Sequence, residues 1–518
     1  MTKSSSHQST LINALLDAQL YEHPVEKIEL IETHISWVIL TGPYAYKIKK
    51  PLNLGFLDFS TLNKRKQCCE EELRLNRRTA PDIYLEVITI NGSPEDPRLA
   101  TDGEIIDYAV KMNQFPQQSQ LDRVLKRNNL TTAIIDDFAQ MIADFHQQAA
   151  VADVTTEYGN SEYVLDPIYE NFTQIREHID DETCHKIIDD IEKWLKNKYQ
   201  SFLPLLEERK KSGFIRECHG DLHLRNLAWI NTKPVAFDCI EFNPRLRWID
   251  VISDIAFLVM DLHARKHLNL AQHFLNAYLE ITGDYMGIKL LPFYTIYRAL
   301  VRAKVDSISI SQNKAANIDS KYRESEFYTY LNLAKSYMQK PPVKLIINHG
   351  VSASGKSTFS QNLLHFMPVI RIRSDLERKR MANLKLSANA QAASEKNIYA
   401  VEFSEKVYDE LALLSETIID SGYSVIVDAT FLDKSKREQF KTLASTKKVD
   451  FVILSYDIPE DILRKRISKR THDASTADIS VLDRMLLNFK PLDENEKTYS
   501  YTINTDTTAE SIASLINN

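Results

Sequence analysis

Apolar and polar positions along this chain of 518 residues follow two rhythms, separated by a break near residue 340. In the first stretch, Trp37-Val-Ile-Leu40, the turn Gly42-Pro43 and Tyr44-Ala-Tyr-Lys-Ile-Lys-Lys50 predict a β-hairpin, because two β-prone runs flank a turn pair. Side chains alternate along a strand, so Ala45, Lys47 and Lys49 share one face. A helix is expected from about Thr61 to Arg78. Residues 133–146 carry apolar side chains at helical spacing and predict a core helix, with His146 as a satisfied core or edge histidine. Leu227–Ile230 and Val235–Asp238 read as two short strands. Residues 296–338 read as helices that Pro341-Pro342 stops, and the polar stretch 313–326 is expected as a mobile surface segment.

Past that break, short apolar β-rich runs alternate with helical segments. Val343–Asn348, Val369–Arg373, Ser424–Val427 and Tyr501–Thr505 suit buried parallel strands, and helices are expected at 358–365, around 464–470 and at the C-terminus. Such alternation predicts one α/β domain over 343–518, of a size that fits one compact unit. The first domain then covers 1–338. The total length agrees, since single cores rarely exceed roughly 250–300 residues.

Composition narrows the class. Hydrophobic content of 43% and charged content of 26% are those of a soluble globular chain. A net charge of −7 gives no general attraction to nucleic acid or anionic membrane. No apolar run approaches the ~20 residues of a membrane span, and the polar N-terminus lacks a signal-peptide core. Five cysteines without a C-x-x-C pair read as reduced thiols, with no disulfide framework and no zinc site. A cytoplasmic protein acting on small molecules is the expectation.

Glycine is scarce, at 12 residues, yet two of them frame Gly350-Val-Ser-Ala-Ser-Gly-Lys-Ser357. This is a complete phosphate-binding loop with a strand before it and a helix after it, the context the motif requires. Gly350, Ser352, Ala353, Ser354, Gly355, Lys356, Ser357 and Thr358 are the expected ATP-binding residues. Lys356, expected to be exposed in the loop, would neutralise the β- and γ-phosphates, and Ser357 would ligate Mg²⁺. Ligands of parallel sheets sit at the carboxyl ends of strands. Asp375, after the second strand, is therefore placed to take a proton from an attacking hydroxyl, and Asp428, after the third, to hold the magnesium shell. Arg378 would hold the acceptor, while Arg466 and Arg470, sharing a helix face, would form a lid. This part resembles the small-molecule P-loop kinases, among them gluconate kinase, polynucleotide kinase and zeta toxin. The resemblance implies that Asp375 is the acceptor-side base.

A second motif lies in the first domain. Cys218-His-Gly-Asp-Leu-His-Leu-Arg-Asn226 contains H-G-D-x-x-x-x-N. Asp221 can deprotonate an acceptor hydroxyl while Asn226, on the same loop, reaches a magnesium ion. The strand ending at Asp238 presents a further metal ligand. Residues 210–262 resemble the aminoglycoside and choline phosphotransferases, the small-molecule branch of the protein-kinase-like fold. That resemblance implies a buttressing role for Asp254, a donor-phosphate lysine at Lys47 with Lys49 as runner-up, and a helix glutamate at Glu72. Where the family has a glycine-rich phosphate loop, Glu32-Thr-His-Ile-Ser36 has no glycine, and Thr33 and Ser36 are the expected substitutes.

The expected fold is thus an α+β bilobal protein-kinase-like domain followed by an α/β P-loop NTPase domain with a parallel sheet. The expected activity is transfer of the ATP γ-phosphoryl group, with Mg²⁺, to small-molecule hydroxyl acceptors. The alternative is a nucleotide-dependent regulatory ATPase whose phosphotransferase-like domain only binds.

Overall fold

The computed structural model describes residues 3–53, 55, 57–386, 398–468 and 479–517. The chain divides into two compact units, one of Met1–Pro167 with Tyr199–Asp261 and one of Ile168–Lys198 with Leu262–Asn518. Among the described residues no helix is long and apolar enough to cross a membrane.

The first unit is built on a six-stranded antiparallel sheet of β1 (Glu29–Glu32), β2 (Ser36–Leu40), β3 (Tyr44–Lys49), β4 (Tyr84–Gly92), β5 (Pro97–Leu99) and β6 (Ile105–Asn113), in the order β1-β2-β3-β6-β4-β5. The β2–β3 hairpin turns at Gly42, whose φ of 99° suits a residue without Cβ. Register pairs Val38 with Lys47, and alternation then sorts the side chains. Ile39, Tyr46 and Ile48 join the N-terminal Leu11, Ile12 and Leu15 in one core. Leu40 and Ala45 face the other core, with Cys69 of helix Leu62–Asn76 and with Tyr84 and Val110. Lys47 and Lys49 lie on this second face. Thr61 starts the helix, its hydroxyl accepting from the Lys64 amide. Two short ribbons complete the unit: β7 (Ile215–Glu217) pairs with β10 (Trp248–Asp250), and β8 (Leu227–Ile230) with β9 (Lys233–Ala236). A small antiparallel sheet, one helix packed on it and two short ribbons make up the scaffold of this unit.

In the second unit, a five-stranded parallel sheet has the order β12-β13-β11-β14-β15. Its strands are β11 (Lys344–His349), β12 (Val369–Arg373), β13 (Ser424–Asp428), β14 (Asp450–Tyr456) and β15 (Ser500–Ile503). Every residue of β13 is buried, as expected of a central strand covered on both faces. The phosphate-loop sequence Gly350–Ser357 follows the central strand β11 of this sheet. Helices Leu268–Thr282, Leu291–Ala315 and Lys321–Ser336 belong to the same compact unit. The polar stretch 313–326, expected as a mobile surface segment, is instead the end of one of these helices and the start of the next, joined by a turn. Its many charges occupy the solvent faces of regular helices.

Among the described residues strand β12 is a sheet edge, paired with β13 alone. The free backbone groups along its other side are met by one side chain of helix Leu268–Thr282. The Asn276 amide oxygen accepts from the Arg371 N–H at 2.7 Å, and the amide nitrogen donates to the Val369 carbonyl at 3.0 Å. One side-chain amide thus supplies the donor and acceptor that a neighbouring strand would offer.

Candidate functional site

The first candidate site sits on the loop between β7 and β8. Gly220 has φ +85°, and a Cβ there would lie 2.8 Å from the Leu246 carbonyl oxygen, so only glycine fits. The buried Asp254 carboxylate accepts from the amides of His219 (3.0 Å) and Gly220 (2.8 Å), with His146 Nε2 at 3.1 Å. His146 is thereby a satisfied core histidine. His219 is packed inward, its Nε2 2.9 Å from the Phe237 carbonyl, and burial lowers its pKa. Within the loop Asn226 Nδ2 donates to Asp221 Oδ2 at 2.8 Å, and His223 Nε2 lies 3.4 Å from the same oxygen. Asp221 is part-exposed, whereas His223 and Asn226 are buried.

Asp238 follows β9 in a left-handed conformation, φ 63°, which turns its carboxylate toward the sheet. There Asp238 Oδ1 meets Lys47 Nζ at 2.5 Å, and Lys47 also donates to Glu72 Oε1 at 2.7 Å. Lys49, fully buried, is not idle: it donates to the other Glu72 oxygen and to Glu241. Burial pushes the Glu72 carboxyl up, but the ammonium groups of Lys47 and Lys49 outweigh it and hold the pKa down to about 2. Glu241 shares Lys49 with Glu72, and its pKa is raised, by burial first. Both lysines are held in the charged form by their carboxylates despite burial. A line of buried charge therefore runs from β3 through Glu72 to the loop after β9.

The turn before β2 is closed on itself. Thr33 Oγ1 accepts from the Ser36 amide at 2.9 Å and donates to the Ser36 carbonyl at 3.0 Å. The Thr33 hydroxyl, one of the two groups expected to replace a glycine-rich loop, is thus spent on the Ser36 backbone, because a short polar side chain at the start of a turn bonds nearby main chain. The Ser36 hydroxyl is buried without a hydrogen-bond partner.

The second candidate site is the loop from Gly350 to Gly355, between β11 and helix Lys356–Leu363. Gly355 has φ 94° and Ala353 φ 64°, the left-handed bends that curl the backbone amides inward. Ser357 and Thr358 lie in the first turn of the helix, where the amides and the helix dipole favour an anion. Lys356 departs from expectation. It is only 8% exposed, and its Nζ folds back to the Val351 carbonyl at 2.6 Å. An ammonium at the mouth of an amide-rich loop satisfies itself on the loop's own carbonyls.

Register in the parallel sheet sets Arg373 beside Asp428 at the carboxyl ends of β12 and β13. Asp375 follows in the first turn of helix Ser374–Met381. Burial and then the charge of Asp428 raise its pKa, against Arg373, Arg378 and Lys356. Arg378 is anchored by the protein itself, donating to the Ile398 carbonyl (2.5 Å) and Ser404 Oγ (3.0 Å), while its Nε is buried without a partner. Arg466 reaches the loop, with Nη1 3.1 Å from the Ala353 carbonyl. Arg464, on the same helix, pairs instead with Glu460 and Asp483. Arg470 lies outside the described residues. Beside the loop, His349 Nε2 donates to the Lys490 carbonyl at 3.2 Å and Nδ1 accepts from Ser455 Oγ at 3.1 Å. Burial above all lowers its pKa to about 4, so it is neutral near pH 7.

Sequence reasoning missed Glu241, Arg373 and Glu280. A signal existed for the first two: each is a charge inside an apolar run, at Cys239-Ile-Glu241-Phe242 and Ile370-Arg-Ile-Arg373. Glu280 has no such signal, since a polar residue near a helix end is ordinary.

Residues 345–492 match the family model described as an AAA domain. Over 458 residues the chain is 29% identical to uncharacterized proteins of Mycobacterium tuberculosis and Mycobacterium bovis, covering 88% of this chain and 89% of each relative. Among solved structures, a choline/ethanolamine kinase family protein from Mesorhizobium loti is 12% identical with a TM-score of 0.40, covering 64% of this chain and 96% of that one. The Mycobacterium tuberculosis APS kinase, solved with AMPPNP and APS, is 16% identical with a TM-score of 0.25, covering 34% of this chain and 96% of its own. A sugar kinase from Janibacter sp. is 19% identical with a TM-score of 0.26, covering 34% of this chain and 92% of its own.

Proposed function

We propose that this protein is an ATP-dependent phosphotransferase with two kinase sites, each transferring a γ-phosphoryl group to the hydroxyl of a small molecule. The observation that carries the reading is the second site. A complete phosphate loop follows β11 of the sheet that also carries two carboxylates, Asp428 at the end of β13 and Asp375 in the first turn of the helix after the adjacent strand β12. Phosphoryl transfer asks little covalent chemistry of a protein; it needs phosphates cradled, charge neutralised and an acceptor hydroxyl oriented and deprotonated. The amides of 350–358 cradle, Lys356 and Arg466 neutralise, and Asp375 takes the acceptor proton. Its raised pKa moves it toward the range useful for a general base.

In the first unit Asp221 is the corresponding base, and its carboxylate is oriented by Asn226. Lys47, positioned by Glu72, holds the donor phosphates. Oxygen donors are what a hard cation such as Mg²⁺ takes, and both sites offer them: Asn226 and Asp238 in the first, Ser357 and Asp428 in the second. Asn226 commits its amide nitrogen to Asp221, which turns its oxygen into the ligand atom. Bound magnesium would offset charge on the phosphates. We propose that two sequence modules, kinase-like residues 1–338 and P-loop residues 343–518, meet at Pro341-Pro342 in a cytoplasmic protein. This division differs from the compact units because residues 168–198 and 262–340 pack in one unit with the parallel sheet.

A second reading has an observation of its own. The self-closed turn at Thr33–Ser36 supports a first unit that binds nucleotide without transferring phosphate. One experiment separates the readings: product formation from ATP and a metabolite pool by the full chain, by Asp221→Asn, by Asp375→Asn and by the double variant, with melting curves as the folding control. An amide keeps the carboxylate's shape but takes no proton, so each loss should be about 10²–10⁴-fold at its own site. Full activity in the double variant overturns the kinase proposal. Full activity in Asp221→Asn alone assigns binding, without chemistry, to the first unit.

A further inference from the structure

We infer that Glu280, on helix Leu268–Thr282, is a positioning residue of the P-loop site that keeps Arg373 off the Asp428 carboxylate. The inference rests on the kinase reading above and adds to it a residue from outside 343–518.

Strand β12 carries two arginines on one face, Arg371 and Arg373, because side chains alternate. Both lead away from the sheet toward the last turn of helix Leu268–Thr282, where Glu280 meets them. Arg371 Nε donates to Glu280 Oε1 at 2.7 Å, and Arg373 Nη1 lies 3.7 Å from Glu280 Oε2. Glu280 itself is fixed. It is buried, and its main-chain carbonyl accepts from Arg380 Nη2 at 2.7 Å. Gly283 allows that approach: with φ +73°, a Cβ there would come within 2.6 Å of Arg380 Nε.

Each arginine then touches the site with its remaining nitrogens. Arg371 Nη1 donates to the Ser357 carbonyl at 3.1 Å, in the first turn of the phosphate helix. Arg373 Nε stands 3.9 Å from Asp428 Oδ2. Arg373 is therefore suspended between two carboxylates, one on the supporting helix and one in the site. Removing the Glu280 charge leaves Asp428 as the nearer anion, and a guanidinium closes readily on a carboxylate in a bidentate pair. Asp428 would then be neutralised by a side chain rather than available to the magnesium shell. Arg371 would lose its buried counter-charge at the same time, loosening the turn that carries Ser357.

The test uses the full chain in an Asp221→Asn background, so that turnover reports the P-loop site. Glu280→Gln keeps the shape and removes the charge. Its kcat is expected to fall by about 10–100-fold, as small misplacements in a site do, with a smaller change in KM for ATP and little change in melting temperature. Adding Arg373→Gln to Glu280→Gln is expected to recover part of kcat, because the competitor for Asp428 is gone. Glu280→Asp, which keeps the charge, should retain most activity and serves if the Gln variant folds poorly. An unchanged kcat in Glu280→Gln, or a loss that Arg373→Gln does not relieve, overturns the inference. Asp375→Asn in the same background tests the kinase reading separately. Should that variant turn over like its parent, that reading fails, and Glu280 is judged by magnesium-ADP titration of the full chain. An affinity weakened about 10-fold by Glu280→Gln supports positioning, and an unchanged one refutes it.

Discussion

Glu72→Gln is expected to destabilise the first unit by about 3 kcal/mol at pH 7, and the cost should disappear as the pH approaches 2. The Glu72 carboxylate is fully buried and takes both Lys47 and Lys49. Its pKa falls from the ordinary 4.5 to about 2, and each pKa unit of such a difference corresponds to ~1.36 kcal/mol. The folded value is the lower one, so the unfolded chain binds the proton more tightly. The stabilisation is therefore complete above about pH 4.5 and is lost as pH falls through the folded value. An independent scale agrees, since breaking a buried ion pair on one side costs ~3–5 kcal/mol. Gln retains one hydrogen bond, which favours the lower end. The assay is urea unfolding across pH, followed by tryptophan fluorescence. Trp37, Trp229 and Trp248 lie in the first unit and Trp194 in the second, so the signal reports mainly the relevant part. Glu241→Gln is the control: its pKa is raised by burial, so removing its charge should cost much less. A Glu72→Gln cost below ~1 kcal/mol at pH 7, or one that persists unchanged at pH 2, would refute the charge-cluster account.

Three further outcomes are expected. Lys356→Ala should weaken magnesium-ATP binding at the P-loop by more than about tenfold, measured by titration of the full chain; an unchanged isotherm would put the nucleotide elsewhere. His349, with a folded pKa of about 4 against an ordinary 6.5, leaves the unfolded state binding more protons between those values. Stability of the second unit should therefore fall as pH drops from 6.5 toward 4, and calorimetry of His349→Gln should show that slope reduced. Gly220→Ala forces a Cβ against the Leu246 carbonyl at a positive φ and should cost ~1–3 kcal/mol with loss of first-site turnover, whereas a neutral melt would mean that the loop relaxes.

Much of the fold could be read from residue order because local rules and burial agree. The β2–β3 hairpin follows from a turn pair between β-prone runs, and β11 and β13 from apolar runs too continuous for a half-exposed sheet. The sites were legible where a motif fixes spacing along the backbone, as at Asp221–Asn226 and Gly350–Ser357. What escaped depends on where side chains fold back or on partners remote in sequence. Lys356 looked exposed because a sequence cannot show which carbonyls its ammonium will find. Lys49 looked like a runner-up because Glu241, its second counter-charge, comes from a remote loop. The lone glutamate at 280 acquires meaning only from two arginines on a strand formed far later in the chain.

The Asn276 amide has a consequence for taking this protein apart. A parallel sheet with a bare edge invites another strand, and natural proteins blunt such edges. Here the blunting device is a single side chain encoded before Pro341, so a fragment cut at the apparent linker would carry an uncapped β12. It would also carry Arg371 without its acid. Modular-looking sequence and separable protein are therefore different things in this chain: recombining its P-loop half with another partner requires carrying helix Leu268–Thr282 along, or re-creating the cap.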